Sequence, residues 1–427
     1  MQTSDDQSPM PSPPETPAQA PGQTSVQAPG QTQALTSGPR LFFVAGEPSG
    51  DRLGAALIEA LRAEAPGLSI AGIGGQEMRR AGLEPPFDIA ELAVMGYAEI
   101  LPRLPQLMRR LREVTQAALA FQPDALITID SPGFSLRVAE RLRRVAPGLR
   151  TIHYVAPSVW AWRPGRAKQM ARYIDHVLAL LPFEPPYMQA AGMTCDFVGH
   201  PIAGQPMATP EEIAAFRAAH GIGDAPLLLV APGSRAGEVR RHGPVFTETL
   251  ARLTATHPGL RIVVPVAETV APAVAALFPN AILLGAHADA ATRRAAAAAA
   301  DAALVKSGTI TLEMAAAGTP QVAAYRTSWL TATIARRLLR VDTANLVNLA
   351  VGWESGARPV PEFYQENCTP ELLVPALAHL LSDTPERAAQ IAAADQAIAA
   401  LGRGGPSPAA RAAQSVLTVL RSGPGAA

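Results

Sequence analysis

The chain has 427 residues, which is enough for two domains with sizeable cores. Its 36 basic and 36 acidic residues give a formal net charge of zero, so the composition does not favour a nucleic-acid-binding protein. No apolar run approaches the roughly 18 residues that a membrane-spanning helix needs, and the N-terminus lacks the pattern of a signal peptide. We therefore expect a soluble or peripheral protein of the cytoplasm.

The N-terminal segment, residues 1–39, is rich in Pro, Gln, Ser and Thr and contains QAPGQT twice. Such a segment buries too little apolar surface to offset the entropy that it would lose on ordering. We predict a disordered extension, with ordered structure beginning at Arg40.

From Arg40 onward, short aliphatic runs alternate with stretches of helical periodicity. In residues 40–203 we predict strands at Leu41–Ala45, Leu68–Ile73, Ala125–Ile129, Thr151–Val155, His176–Leu181 and Phe197–His200. In residues 204–427 we predict strands at Leu227–Val230, Arg261–Val264, Ile282–Leu284, Ala302–Val305 and Val322–Tyr325. The tail from Thr369 to Arg421 is predicted to be helical.

Strands that alternate with helices form parallel sheets covered on both faces, so the sequence predicts an α/β fold. We predict two doubly wound, Rossmann-like domains facing a cleft, residues 40–203 and residues 204–427, the second carrying the terminal helices. Ligands of such sheets lie beyond the carboxyl ends of the strands. Neither half contains a complete G-x-G-x-x-G, because Gly72–Gly75 lacks the third glycine. We predict no nicotinamide or other cofactor.

An anion site is predicted after the strand Leu227–Val230. The turn that contains Gly233 and Ser234 leads into a helix, and the first N–H groups of a helix have no intrahelical partner and attract phosphate. Arg235 adds a guanidinium that can bind two phosphate oxygens. The alternative is a tight turn with a surface arginine.

A second strand–turn–helix unit follows the strand Ala302–Val305. Ser307 is placed to cap the helix, and Gly308 allows a ligand to approach the backbone. Glu313 lies four residues after Thr309, on the same helical face, where a carboxylate suits the hydroxyls of a ribose. The alternative is a surface glutamate that favours the helix dipole. Together the two units predict a nucleoside diphosphate site.

In the N-terminal half, Asp130 follows a buried strand and is our candidate general base. The alternative is an N-cap for the following helix. Glu47 and Asp51, at the end of the neighbouring strand, are rival carboxylates. The chain contains no Asp-x-Asp pair, so we predict no metal and expect Arg235 and helix N-termini to neutralise a leaving diphosphate.

The segment 94–114 is amphipathic, with apolar residues on one face and arginines around it. The ordinary interpretation is a helix that faces the core. A basic amphipathic helix can also lie on an anionic membrane, and residues 334–340 form a weaker second candidate of this kind.

Several motifs resemble one known family, the lipid-A-disaccharide synthases, over residues 41–370. The motifs are VAGEPSGD (44–51), ELAVMGYAEIL (91–101), IDSPGF (129–134), IHYVAPSVWAWR (152–163), LPFE (181–184), FVGHP (197–201), PGSRAGEV (232–239), SGTITLE (307–313) and PEFYQE (361–366). The aromatic stretch at residues 154–162 is the most diagnostic, because composition alone does not predict it.

The resemblance implies a two-domain GT-B glycosyltransferase that transfers 2,3-diacylglucosamine from UDP to 2,3-diacylglucosamine 1-phosphate. Asp130 matches the family's essential aspartate and Arg235 its UDP-contacting arginine. Asn348 and Gln365 match polar residues of the nucleotide pocket, although the usual Leu-Pro-Asn is Leu-Val-Asn at residues 346–348.

The resemblance also implies a peripheral protein on the inner face of the cytoplasmic membrane. It implies that the last helices either pack back on the first domain or exchange between the protomers of a homodimer. An apolar patch would accept acyl chains at Ala98, Ile100, Leu101, Leu104, Leu107 and Met108. Our candidates for holding the acceptor are Gly46, Glu47, Ser49, Gly50 and Asp51. The alternatives are another GT-B sugar-nucleotide enzyme, either a UDP-N-acetylglucosamine transferase or a 2-epimerase, and a non-catalytic nucleotide-sugar-binding protein.

Overall fold

The computed structural model describes residues 38–91 and 97–422, and almost all of the predicted N-terminal extension lies outside them. In this part of the chain, twelve strands form two six-stranded sheets. The first sheet contains β1 (Arg40–Ala45), β2 (Ser69–Ile73), β3 (Ala125–Ile129), β4 (Arg150–Tyr154), β5 (His176–Ala179) and β6 (Thr194–Phe197). The second contains β7 (Leu227–Ala231), β8 (Arg261–Pro265), β9 (Ile282–Leu284), β10 (Ala302–Lys306), β11 (Gln321–Tyr325) and β12 (Glu362–Tyr364).

Helices connect these strands and follow the last of them. Those between the strands of the first sheet are α1 (Pro48–Glu64), α2 (Gln76–Arg80), α3 (Tyr97–Phe121), α4 (Ser135–Val145), α5 (Gly165–Met170) and α6 (Pro185–Gln189). The next are α7 (Pro210–Ala219), α8 (Ala236–Thr256), α9 (Ala271–Leu277), α10 (Ala290–Ala299), α11 (Ile310–Ala316), α12 (Trp329–Leu338) and α13 (Leu346–Gly352). The terminal helices are α14 (Pro370–Leu381), α15 (Pro385–Ala400) and α16 (Pro408–Arg421). Within the described residues, no helix combines the length and hydrophobicity needed to cross a bilayer.

Both sheets are parallel, and each has a point where the strand order reverses direction. The order is β2-β1-β3-β4-β5-β6 in the first sheet and β12-β11-β10-β7-β8-β9 in the second. The chain therefore leaves in opposite directions from β1 and β3, and from β7 and β10. In open α/β sheets such switch points form the crevice that receives a ligand. The predicted fold class, α/β with two doubly wound parallel sheets, is confirmed.

The predicted strands agree with the structure to within one or two residues, with two exceptions. The last strand of the first sheet is Thr194–Phe197, not Phe197–His200, because the chain turns at Gly199 with φ +90°. The three-residue strand β12 pairs with β11 at the sheet edge and was not predicted. Helix α1 begins with Pro48 in its first turn, so Ser49, Gly50 and Asp51 are helical.

The last helix, α16, packs against the first sheet rather than the second. Its buried residues Ala412, Ala413, Val416 and Leu417 join the apolar core formed by β1, β3 and α1. The chain thus passes between the sheets twice, and the two passages touch, since the His200 N–H donates to the Leu401 carbonyl at 3.0 Å. Arg411 closes this junction by donating to the Val198 carbonyl at 2.8 Å.

An aromatic cluster also joins the two sheets. Phe183, which follows β5, stacks on Trp353 after α13, with ring centroids 4.0 Å apart and planes 5° from parallel. Trp160 meets both rings edge-on at 5.2 and 5.6 Å. These rings belong to one apolar core that includes residues packed on β7 and β10, so the sheets share buried surface.

Candidate functional site

We call the carboxyl ends of β1 and β3, with the turns that follow them, the first edge. Asp130 directly follows β3 with φ +47°, a left-handed conformation that Asp tolerates better than most residues. Its carboxylate accepts a hydrogen bond from Ser49 Oγ at 3.1 Å. Helix α4 begins five residues later, and its capping position is Phe134. Asp130 therefore does not cap α4, and its half-buried carboxylate faces the turn after β1.

Glu47 is the second acid of the first edge and lies beside Asp130. Burial raises the pKa of Glu47, the negative charge of Asp130 raises it further, and Arg235 and a hydrogen bond with Ser131 lower it in part. Glu47 is therefore protonated more readily than an ordinary glutamate. Since Arg235 belongs to the second sheet, its influence on Glu47 places the two switch points within electrostatic reach of each other.

Asp51 serves the fold instead of an open site. Its carboxylate is buried and accepts backbone N–H groups of Gly75 at 2.7 Å, Glu77 at 3.0 Å and Met78 at 3.0 Å. These are the otherwise unpaired donors at the start of α2, so Asp51 caps a neighbouring helix. This contradicts its expected place among acceptor-binding residues. Gly50 is likewise buried against the end of β3, and Gly46 is buried against Ser131, so that of the acceptor candidates only Glu47 and Ser49 are exposed in this turn.

The second edge comprises the ends of β7 and β10 with the turns that follow them, and it opens into a cavity of about 460 Å³. The strands β7, β8, β9 and β10 all contribute their last residue to its lining. The predicted residues Gly233, Ser234, Gly308, Thr309 and Glu313 also line it. The structure therefore brings the two predicted strand–turn–helix units together around one cavity.

Helix α8 begins at Ala236, as the sequence predicted, and Arg235 is its capping residue. The N–H groups of Arg235, Ala236 and Gly237 have no acceptor among the described residues. The Arg235 side chain is 66% exposed, and its nearest acid is Glu238 at 3.6 Å. A 21-residue helix with three free N–H groups and an adjacent guanidinium can receive an anion.

Glu238 lies inside this turn and is buried. Its carboxylate accepts the Ser234 N–H at 3.1 Å and also contacts Lys306 Nζ at 3.3 Å. Burial alone would raise the pKa of Glu238, but Lys306, the Ser234 N–H and Arg235 together hold it below its usual value. An ionised carboxylate therefore stands between the two cations of the second edge.

Glu313 faces the cavity from α11, on the side where Thr309 also lies. It is solvent-accessible, yet the surrounding protein raises its pKa, while Arg52 and Arg293 lower it in part. Arg52 belongs to α1 of the first sheet, so this position also lies between the two sheets. A carboxylate with a raised pKa can still accept hydrogen bonds from a vicinal diol.

Ser307 does not cap α11, contrary to the prediction. The helix begins at Ile310, and the Gly308 carbonyl accepts hydrogen bonds from the Thr311 N–H and hydroxyl at 3.1 and 2.7 Å. The Ser307 hydroxyl is buried and has no partner among the described residues. Thr311, inside the helix, thus satisfies the Gly308 carbonyl that precedes the helix.

Asn348 and Gln365 lie outside the cavity lining. Asn348 is fully buried: its amide donates to the Val360 carbonyl at 2.9 Å and to Glu362 at 3.1 Å, and its oxygen accepts the Val360 N–H at 2.9 Å. Gln365 faces the backbone of Thr327. Asn348 thus shapes the loop at the second sheet's edge through the backbone, which differs from the expected direct contact with a nucleotide.

The predicted acyl patch lies on α3 and is described only in part. The side chains of Ala98, Ile100, Leu101 and Leu104 lie outside the described residues. Leu107 and Met108 are half-buried and pack against the core between α3 and the first sheet. The second amphipathic candidate, residues 334–340, overlaps the end of α12, where Leu338 is 50% exposed, and Trp329 at the start of this helix is 79% exposed. Within the described residues, no three His, Cys, Asp or Glu side chains converge as a metal site.

Two residues of the second edge, Glu238 and Lys306, were not singled out from the sequence. Both line the cavity. One feature of the sequence could have drawn attention to Lys306, namely that it is one of only two lysines in a chain with 36 basic residues. Glu238 falls within the PGSRAGEV motif, but its inward orientation depends on how α8 begins.

Comparison with known sequences identifies relatives over most of the chain. Residues 41–416 match the family model described as lipid-A-disaccharide synthetase. The lipid-A-disaccharide synthase of Ruegeria pomeroyi is 54% identical over 390 residues, covering 89% of this chain and 95% of the relative. That of Rhodospirillum centenum is 46% identical, covering 89% and 94%.

Solved structures with similar folds have low sequence identity to this chain. UDP-N-acetylglucosamine 2-epimerase from Neisseria meningitidis, solved with UDP-N-acetylglucosamine, gives a TM-score of 0.58 at 11% identity over 89% of this chain and 98% of that one. A calicheamicin glycosyltransferase gives 0.53 at 18% identity, over 90% and 99%. These likenesses extend to the fold, which is that of GT-B glycosyltransferases and related epimerases.

Proposed function

The chain belongs to the lipid-A-disaccharide synthase family of glycosyltransferases, and from this premise we propose its substrates and the course of its reaction. The donor is UDP-2,3-diacylglucosamine and the acceptor is 2,3-diacylglucosamine 1-phosphate. The 6-hydroxyl of the acceptor displaces UDP with inversion, which yields the β-1,6-linked disaccharide 1-phosphate and UDP.

One observation carries this proposal: the two switch points face each other and present groups of opposite charge. The first edge presents Asp130 and Glu47, and the second presents free N–H groups of α8 with Arg235. An attacking hydroxyl needs a base, whereas a leaving diphosphate needs positive charge. We assign the acceptor to the first sheet, residues 40–203, and the donor to the second, residues 204–427.

Asp130 acts as the general base in this proposal. Ser49 Oγ donates to one carboxylate oxygen and orients the group, leaving the other oxygen for the acceptor hydroxyl. Glu47, whose pKa is raised by burial and by the charge of Asp130, lies beside this base. As the C–O bond to UDP breaks, the proton of the 6-hydroxyl passes to Asp130.

Arg235 and the start of α8 bind the diphosphate, and Glu313 with Thr309 holds the ribose. Thr309 and Glu313 line the cavity, and Arg235 lies beside it, 3.6 Å from the cavity residue Glu238. The proposal needs no divalent cation, because the developing charge on UDP meets fixed positive charge and N–H dipoles.

Both substrates carry acyl chains, so we propose that the protein works at the inner face of the cytoplasmic membrane. The exposed Trp329 and Leu338 on α12, with Arg337 beside them, suit contact with anionic lipid. The α3 patch would supply the acyl-chain seat. A homodimer with exchanged C-terminal helices stays a proposal that solution mass measurement can test.

The deciding experiment measures UDP release from purified protein given both acylated glucosamine substrates, with and without EDTA. We expect release only when both substrates are present, unchanged by EDTA, with a β anomeric configuration in the product by NMR. Release from the donor alone would indicate hydrolysis. Interconversion of UDP-N-acetylglucosamine with its 2-epimer would favour the epimerase alternative, and UDP binding with no turnover would favour the non-catalytic one.

A further inference from the structure

We propose that Lys306 is a second cationic ligand of the donor's diphosphate, held in place by Glu238. This inference rests on the proposed function, because it names a further residue of the same UDP site. The first observation is position: Lys306 is the last residue of β10 and lines the cavity at the switch point opposite β7. Its ammonium group thus lies where a ligand of this sheet is received.

The ammonium group is fixed from three sides. Glu238 Oε1 lies 3.3 Å from Nζ, and the Tyr325 ring centroid lies 5.5 Å from it. On the third side is Gly308, where an added Cβ would stand 3.3 Å from Nζ. The side chain is 22% exposed. Lysine rotamers are normally mobile, so this confinement gives the charge a defined place.

The hydrogen-bonding capacity of Lys306 is largely unused. An ammonium group has three donors, and among the described residues Glu238 is its acceptor in the structure. The two remaining donors are available to phosphate oxygens entering the cavity. Arg235 Nη1 lies 3.6 Å from the same oxygen, Glu238 Oε1, while Oε2 accepts the Ser234 N–H, so the carboxylate holds two cations without occupying the free N–H groups of Arg235, Ala236 and Gly237.

Glu238 is a positioning residue in this arrangement, because it acts on the diphosphate through Lys306 and Arg235. Its own place is fixed by the Ser234 N–H at 3.1 Å and by its burial against Gly233. The net charge of the Arg235–Glu238–Lys306 group is +1, which partly neutralises a bound diphosphate while each cation keeps a partner in the empty site.

The first test uses the wild-type chain, since it contains only two lysines, Lys306 and Lys168. Lys168 is exposed on α5 of the first sheet and serves as an internal control. We expect UDP to slow acetylation of Lys306 by an amine-reactive ester several-fold, measured by mass spectrometry, and to leave acetylation of Lys168 unchanged. Equal labelling of Lys306 with and without saturating UDP would overturn the proposal.

The second test compares nucleotide affinities by calorimetry. Because a charged hydrogen bond is lost, Lys306→Met should weaken UDP binding by roughly 10- to 100-fold while uridine affinity stays constant. Lys306→Arg should restore most of the affinity, and Lys168→Met should match the wild type. The effects of Lys306→Met and Glu238→Gln on UDP affinity should be non-additive, because both remove the same cation from its place.

The outcomes separate this inference from the proposed function. If wild-type protein binds UDP and Lys306→Met binds it equally well, Lys306 is not a ligand, and the proposed function stands. If Lys306→Met weakens uridine and UDP alike, the residue supports the fold of the cavity, which also overturns the inference. If the wild type binds no UDP, both proposals fall.

Discussion

The two edges have the same architecture but differ in which charges are left available. Each contains a parallel switch point and one buried carboxylate that binds backbone N–H groups: Asp51 at the first edge and Glu238 at the second. The oxygens of Asp51 accept N–H groups at the start of α2, so the acids Asp130 and Glu47 are what the first edge presents to a ligand. Glu238 binds one N–H and two cations, so the second edge keeps positive charge. Similar local architecture therefore presents acids on one side, with the proposed base among them, and cations with free N–H groups on the other, where we propose the anion site.

The largest expected effect separates chemistry at the first edge from binding at the second. Asp130→Asn removes the proposed base, and we expect turnover to fall by roughly 10²- to 10⁴-fold with UDP affinity unchanged. Turnover is measured as UDP release and affinity by calorimetry. A loss of UDP affinity as large as the loss of turnover would mean that the two edges do not act separately.

A second test concerns Glu184, a buried acid that follows β5 and contacts the aromatic cluster through Trp160 Nε1 at 3.2 Å. Burial raises the pKa of Glu184 to about 7, although the N–H groups of Leu181, Trp160 and Leu180 lower it in part. The folded protein therefore binds a proton that the unfolded chain releases near pH 4.5. The free energy of unfolding should fall by about 3 kcal/mol as pH rises from 4.5 to 7.

Glu184→Gln supplies the control, because its amide oxygen can still accept the backbone N–H groups. We expect the difference in unfolding free energy between the wild type and this variant to change with pH over that interval and to level off above pH 7. Urea titrations at several pH values give the measurement. Parallel pH profiles for the two proteins would show that Glu184 does not titrate there.

Asp51→Ala tests the structural carboxylate of the first edge. The change leaves three N–H groups at the start of α2 without their acceptor and should cost about 2 kcal/mol of unfolding free energy. Glu59→Ala is the matched control, because Glu59 is exposed on α1, the helix that contains Asp51. It should leave the free energy of unfolding nearly unchanged. If Asp51→Ala kept full stability but lost only acceptor binding, the residue would belong to the site after all.

Arg235→Ala addresses the exposed cation of the second edge. Since this side chain is 66% exposed and screened by solvent, we expect UDP affinity to fall roughly tenfold, less than for Lys306→Met. Arg240→Ala, on the exposed surface of the same helix, should leave affinity unchanged. Higher ionic strength should narrow the gap between Arg235→Ala and the wild type. Equal affinity of the two proteins at low salt would remove Arg235 from the site.

The sequence allowed prediction of those features that depend on local pattern. Aliphatic runs such as Leu227–Val230 are too hydrophobic for any place but a central strand, and Gly233 and Ser234 mark the turn that follows. Edge strand β12 was not predicted, because it has only three residues, one of them Glu362, and such a short sequence has the pattern of a loop. Only its pairing with β11 makes it a strand. Short-range signals therefore give the central strands better than the sheet borders.

Side-chain roles that depend on distant partners could not be predicted in the same way. Asn348 and Asp51 were expected near a ligand, but their hydrogen bonds go to Val360 and to the start of α2, which only the folded chain brings near. Asp130 lies directly after β3, as predicted, because the end of a buried strand is visible in the local sequence pattern. Lys306 was missed since its importance arises from Glu238, 68 positions earlier in the chain.

Helix α16 has a consequence for how the protein is made. It completes the apolar core beside α1 and β1, yet its residues, Pro408–Arg421, are translated after every described strand of both sheets. A nascent chain can assemble the second sheet while one face of the first still lacks its cover. The first sheet can therefore finish folding only after the second has been translated, and deletion of residues 408–421 would expose the apolar core beside β1 and β3.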